Sequence, residues 1–491
     1  MTLRFARWLL ALLILLVAGG LGAWLLLLRP HKQPETNDLA QVFNHGSIGN
    51  ETAQGLPYWI WRVLPTVFPD HLPGAQRGYS AIGVYWEPGA PLPVGFSEKT
   101  LGVIPRVAPN CAFCHQGTYR TQADMPARLV SAGAGTRVDP QSYIRFLVDV
   151  GQDPRFTAKT VMAAITAIYD MPAWERGLYR FVLIPATRKA LEGQAQRFAW
   201  MTTRPDWGPG RIDPFNPVKF ENLGLPDDGT IGNSDMMPLW GLAVTDPTDT
   251  RRFALHWDGL LSDLHETVVA GAIGDGMSHS EWPGAQDALA RMEAFVRLQL
   301  PPPSPFSPKL PPGDPFHVDP GQVTRGRAIY AAHCAECHDP AGPRFRTPIP
   351  IVEVATDRHR LDMWTAAARD RYLAYQDDYA WGFQHFHKTE GYLANELTGL
   401  WLRGPYLHNG SVPNLRALLS APAERPDRFW RGSDLVDARN GGFVSLRDAD
   451  PMRRMVPFDT QVDGNGNAGH LWGTDLPATD KEALLAYLKT L

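Results

Sequence analysis

Apolar and polar positions divide the chain into stretches of different character. From Trp8 to Leu28 the sequence is an unbroken apolar run, preceded by Arg4 and Arg7 and followed at once by Arg29, Pro30, His31 and Lys32. Roughly twenty apolar residues at helical rise match a bilayer core, whereas the apolar part of a cleaved secretory signal is shorter. No small-x-small cleavage site precedes Arg29, because the run ends in Leu25-Leu26-Leu27-Leu28. The pattern therefore predicts an uncleaved signal anchor, one transmembrane helix over 1–28, with a cleaved export signal as the competing reading. Basic residues flank both ends, so charge alone gives a weak orientation signal. A polar tether follows over 29–39.

Between residues 40 and 300 no period-two alternation stands out. The last part of this stretch, Gln286 to Leu300, places Leu289, Met292, Phe295, Val296 and Leu298 at near-helical spacing and stops at Pro301-Pro302-Pro303. The proline-rich run from Pro301 reads as a stiff linker over 301–313. A second domain is expected over 314–491. Gln322 to His333 predicts its opening helix, with Gly326 and Tyr330 one turn apart. Thr479-Asp480-Lys481-Glu482 forms a capping box ahead of a closing helix that carries Leu484, Leu485, Tyr487 and Leu488.

Composition changes this picture in two respects. The net charge of −4 with 20% charged residues excludes a nucleic-acid binder of the basic kind. Abundant proline and glycine (44 and 45) with 16 tryptophans predict short helices joined by long ordered loops around buried aromatics.

The cysteines carry the chemistry. All four lie in two Cys-x-x-Cys-His stretches, Cys111-Ala112-Phe113-Cys114-His115 and Cys334-Ala335-Glu336-Cys337-His338. Each matches the attachment signature of a c-type haem: two thiols add across the vinyl groups, and the adjacent histidine coordinates iron. A zinc site built from two Cys-x-x-Cys knuckles would explain the cysteines but not the histidine that follows both pairs. Two covalently bound haem c groups are expected, with His115 and His338 as proximal ligands. Covalent haem attachment is a periplasmic process in bacteria, so the expected location is the inner membrane, single-pass through residues 8–28, with the haem domains in the periplasm.

What each iron sees on its other face decides function. A filled sixth position moves electrons; an open one binds oxygen or peroxide. For the second haem the best candidate is His408, bracketed by the turn residues Gly404, Pro405, Asn409 and Gly410. Met363 and the pair His385/His387 are weaker candidates.

The run Pro405-Tyr406-Leu407-His408-Asn409-Gly410-Ser411-Val412-Pro413, after a second Cys-x-x-Cys-His, resembles the bacterial di-haem cytochrome c peroxidase superfamily. Trp207 to Pro217 and Ile231 to Asp235 look most like its di-haem rubber-oxygenase branch. His256-Trp257-Asp258-Gly259 with the later Glu266 resembles the family's Trp-Asp-Gly segment. The resemblance implies a mainly α fold of two cytochrome c-type domains with long ordered loops; the opening and closing helices of 314–491 are similar to the crossing pair of class I cytochromes c. It further implies an open first haem with Glu266 as a general acid–base over it, Trp257 or Trp240 walling or bridging the haems, and His256 or His265 as side chains that could instead close that face. Asn409 to Phe429 holds neither the methionine nor the tyrosine that other branches place there, which favours His338/His408 ligation. Leu255 stands where the peroxidases tend to have glutamine. The family also implies a calcium ion between the domains, whose ligands the sequence does not name. The expected activity is that of a peroxidase-like or oxygenase-like oxidoreductase served by a periplasmic or membrane redox partner: a small cytochrome, a cupredoxin or a quinol-linked donor. The alternative is a non-catalytic di-haem electron carrier.

Overall fold

The computed structural model describes residues 36–74, 77–242, 254–375 and 382–491, together with residues 8, 13–19 and 22. No helix among them is long and apolar enough to cross a membrane. Within the apolar run, residues 13–19 are helical. The expected anchor over 8–28, and the single-pass inner-membrane location built on it, are therefore not supported. Most of that run, and residues 29–35 of the tether, lie outside the described residues.

The expectation of a mainly α fold is also corrected. Helical content is 41%, and the described helices are interleaved with five small antiparallel sheets, one of three strands and four of two. The largest pairs Phe96–Leu101 with Ile104–Pro109, which in turn meets Leu56–Pro57. The pairing strands are two to six residues long. Segments that short carry too few alternating positions to register as strands in sequence.

Packing does not follow the division at the proline-rich stretch. One hydrophobic core joins Val42, Phe43, Leu289 and Phe295 to Trp364 and Tyr372, which lie beyond residue 314. A second core gathers Trp61, Tyr79, Phe96 and Tyr143 around the three-stranded sheet. Within 301–313, Phe306 is buried beside Val318, Trp401 and Trp240, and the Ser304 hydroxyl donates to Lys489 O at 2.6 Å.

Near the C-terminus, Pro320–His333 packs on Ala478–Lys489. Asp319 caps the first helix, its carboxylate accepting from Gln322 N at 2.8 Å. Gly326 stands at the contact, where a Cβ would collide with Ala483 O and crowd Tyr487. One turn on, the Tyr330 and Tyr487 rings lie 5.4 Å apart. This pair delivers the chain directly into Cys334. Two cores and one helix crossing thus fix where each Cys-x-x-Cys-His turn sits.

Candidate functional site

The first motif is a single helical turn, Cys111–Cys114, started by Asn110. The Asn110 side chain accepts from Ala112 N at 3.0 Å and donates to Gly46 O at 2.9 Å, locking the turn to the C-terminal end of the helix Leu39–His45. Residues three apart on a turn share a face, so both thiols project to one side. Neither motif forms a disulfide. Burial pushes the Cys111 thiol up to about 12 and Cys114 well above its ordinary value, so both are neutral. His115 Nδ1 donates to Met237 O at 2.8 Å, which leaves Nε2 as the free lone pair; burial lowers the ring's pKa and keeps it neutral.

Cys111, Cys114 and His115 stand on the wall of a cavity of about 760 Å³, within the range of cofactor sites. His256, Trp257 and Arg360 stand on the same wall. His256 has a left-handed backbone (φ 66°), a strained state for a residue with a Cβ. Its Nε2 is buried with no partner, its ring rests on Phe215 at 5.5 Å, and burial, Arg360 and His115 push its pKa down to about 3. Arg360 pairs with Asp258 at 3.0 and 3.3 Å, beneath Phe215. Trp257 lines the cavity and packs against the same apolar cluster as Cys337 and Trp472. Its indole N–H donates to Asp235 O at 2.9 Å.

Glu266 is placed elsewhere. It is not on the cavity wall. Its carboxylate accepts from Gln384 N and His385 N at 3.0 Å each and from His385 Nδ1 at 2.8 Å. Such a carboxylate is spent on backbone donors and has no lone pair aimed at the cavity. His265 is on the surface with Glu293, and Trp240 donates to Thr398 O away from the cavity.

The second motif follows the same rule with a different outcome. His338 Nδ1 donates to Asn395 O at 2.7 Å, again leaving Nε2 free. Facing it is His470, with ring centroids 6.3 Å apart. Metal–imidazole bonds of about 2 Å put two ring centres about 6 Å apart across one ion. His470 is itself strained (φ 47°), follows Gly469 (φ 77°), and donates its backbone N–H to Val354 O at 2.7 Å. Arg425 pins this loop by donating to the carbonyls of Asn467, Gly469 and His470. Burial, His338 and Arg425 lower the His470 pKa to about 4, so the ring is neutral.

His408 does not hold that place. Its loop is as rigid as its turn residues suggest, with Asn409 donating to Gly464 O and Gly466 O at 3.1 and 2.9 Å. The ring, however, stacks on Tyr392 at 3.9 Å, and the charges that act on it are Asp357, Arg360, Arg211 and His359. Met363 is core, with its carbonyl held by Lys219. His470 was missed although it carries the signal that singled out His408: Gly464-Asn465-Gly466-Asn467-Ala468-Gly469 is a run of turn residues ending at a histidine.

Among the described residues, one group of side chains converges as a metal site would: Asp70, His71 and Asp153. Arg155 already pairs with both carboxylates, at 2.7 and 2.5 Å, and the group lies within the first region, not between the two motifs. It gives no support to an interdomain calcium ion.

Residues 391–431 match the family described as RoxA-like, cytochrome c-like. They include the Asn395 carbonyl that orients His338 and the whole His408 loop. The chain thus carries a RoxA-like cytochrome c-like domain, and with it haem c binding. An uncharacterized protein of Sinorhizobium fredii (strain NBRC 101917 / NGR234), y4iJ, is 42% identical over 109 residues, 20% of this chain and 18% of that protein. A second from the same strain, y4iM, is 30% identical over 196 residues, 34% of this chain and 44% of that protein. The chain spans less than half the length of either relative. The wider likeness to di-haem peroxidases rests on the motifs alone.

Proposed function

We propose that the chain is a di-haem c-type cytochrome acting as a redox enzyme, with one reactive and one electron-relaying centre. The residues fit the cofactor twice: each motif offers two neutral, unpaired thiols beside a histidine whose Nδ1 is already bonded. Cys111, Cys114 and His115 would hold the first haem, and Cys334, Cys337 and His338, together with His470, the second. Haem c supplies one-electron chemistry and, where an axial position stays open, binding of dioxygen or peroxide.

The observation that carries this reading is an asymmetry between the two histidines. His338 faces a second imidazole at 6.3 Å. His115 faces a cavity, and the ring contact of His256, the nearest candidate, is with Phe215 instead. In that cavity Arg360, paired with Asp258, keeps only its Nε without an acceptor, and His256 offers a neutral ring with an unpaired Nε2. Trp257 lines the cavity and packs on the apolar cluster of Ile349 and Tyr392, on which Cys337 also packs. A small cytochrome, a cupredoxin or a quinol-linked donor would supply electrons at the second centre.

The ferric protein tests this directly. Electron paramagnetic resonance should show one high-spin, ligand-accepting haem and one low-spin haem. Two purely low-spin signals would instead favour the electron-carrier reading, with the orphaned His256 as the first iron's sixth ligand. Peroxide turnover with a reduced cytochrome, against oxygen uptake with an apolar unsaturated substrate, separates peroxidase from oxygenase.

A further inference from the structure

We infer that Arg346 and Arg403 form a carboxylate-binding cradle that holds a propionate of the second haem, an inference that rests on haem c being attached at Cys334 and Cys337. One loop, residues 394–398, holds the proximal histidine, the Arg346 backbone and the Arg403 side chain. Ala394 O accepts from Arg346 N at 3.0 Å, and the next carbonyl, Asn395 O, accepts from His338 Nδ1 at 2.7 Å. Thr398 O accepts from Arg403 Nη2 at 2.6 Å and from Trp240 Nε1 at 3.0 Å. The proximal imidazole, the Arg346 backbone and the Arg403 guanidinium are thus fixed to five consecutive residues, while the Arg346 guanidinium is held at Gly241 O.

The two arginines are short of partners. Arg346 is 7% exposed, and the Nε of both Arg346 and Arg403 is buried without an acceptor. An Arg346 Nη2 bond to Gly241 O leaves most of its fork free. A buried donor left unpaired is destabilising, which favours an acceptor at this place. Arg346 also holds a left-handed backbone (φ 50°), a strain that persists where the surroundings require it. Burial lowers the pKa of both; Arg403, brought to about 10, also feels the repulsion of Arg346, and the carboxylate that offsets both is Glu396, which accepts from Thr398 Oγ1. Tyr406 also acts on Arg403, which in turn acts on His338. Two desolvated cations beside the proximal histidine, with spare N–H donors in a fork geometry, suit a planar carboxylate better than water. The haem brings such carboxylates to its own site.

The test uses the full chain with haem attached. Arg346→Gln and Arg403→Gln each remove one cation, and Arg346→Lys and Arg403→Lys restore charge without the fork. Haem stoichiometry by pyridine haemochromogen and by mass of the Cys334–Cys337 peptide is measured first. The midpoint potential of the low-spin haem is then followed across pH. Losing a cation favours the ferric state, and a tenfold shift of that equilibrium lowers the one-electron midpoint by 59 mV. The gap to the wild type should narrow on acidification, as the released propionate takes up a proton, and the lysine variants should recover most of it. With two haems per chain, unchanged midpoints in both glutamine variants overturn the cradle, and the single variants decide it should a double variant not fold. Absence of haem on the second motif instead removes the reading on which the cradle rests.

Discussion

The two Cys-x-x-Cys-His turns are chemically alike and set in opposite surroundings. Both histidines give Nδ1 to a backbone carbonyl, Met237 O and Asn395 O, and both keep Nε2 available. The first turn lines a cavity bounded by apolar core and by Trp257, His256 and Arg360. The second lies at the end of a packed helix pair and faces another imidazole. On the proposed reading, a five-residue motif would set attachment and the proximal bond, while the residues opposite would set reactivity.

That contrast can be broken at its strongest point. His470→Ala should convert the low-spin signal to a second high-spin, ligand-accepting one, with added imidazole restoring it. His408→Ala should leave that signal in place, since its ring is stacked on Tyr392. A persistent low-spin signal in His470→Ala would remove His470 from the iron.

The next largest effect concerns how the two regions are joined. Asp434 accepts from Thr118 Oγ1 and Arg120 Nε at 2.7 Å each, linking the chain just after the first motif to the C-terminal region. Burial alone would raise its pKa, but Arg137, Arg453 and Thr118 hold it down at about 2. A folded pKa below the unfolded value near 3.9 means that this stability is fully present above about pH 4 and is lost as pH falls towards 2. The contribution is on the order of 2 kcal/mol. Thermal unfolding of wild type between pH 5 and 2 should show that loss, and Asp434→Asn should flatten it.

Electron transfer between the regions comes third. Trp257→Leu should slow equilibration between the two haems about tenfold, about 1.4 kcal/mol on the barrier, in flash-reduction kinetics; an unchanged rate would take Trp257 off the route. The smallest effect is expected at Glu266. Glu266→Gln leaves one oxygen for the 384–385 backbone, so it should cost about 1 kcal/mol of stability and change turnover less than twofold. A turnover loss of a hundredfold would return Glu266 to the reacting centre.

Legibility differed by scale. The opening and closing helices and the rigid His408 loop could be read from sequence because each follows from helical period or turn chemistry, and the Gly326 contact from the resemblance to class I cytochromes c; the capping box at Thr479 is not used, since the closing helix starts at Ala478 behind Pro477 with no side-chain cap. The short strands were not legible, because two to six residues carry no readable period. Glu266 looked available by position, yet its carboxylate meets N–H groups of residues more than a hundred positions away. His470 lay in a turn-rich run as suggestive as that of His408, and no local rule ranks one above the other.

Sequence by itself determined where haem could attach: all four cysteines lie in two Cys-x-x-Cys-His signatures, which leaves no thiol outside them. Tertiary structure alone decided what stands opposite each histidine, because a sixth ligand, an open cavity or a capped carboxylate depends on contacts between distant segments. The physical reason is range: covalent motifs and turns are set by neighbours along the chain, whereas a site's open or closed face is set by what packing brings across it.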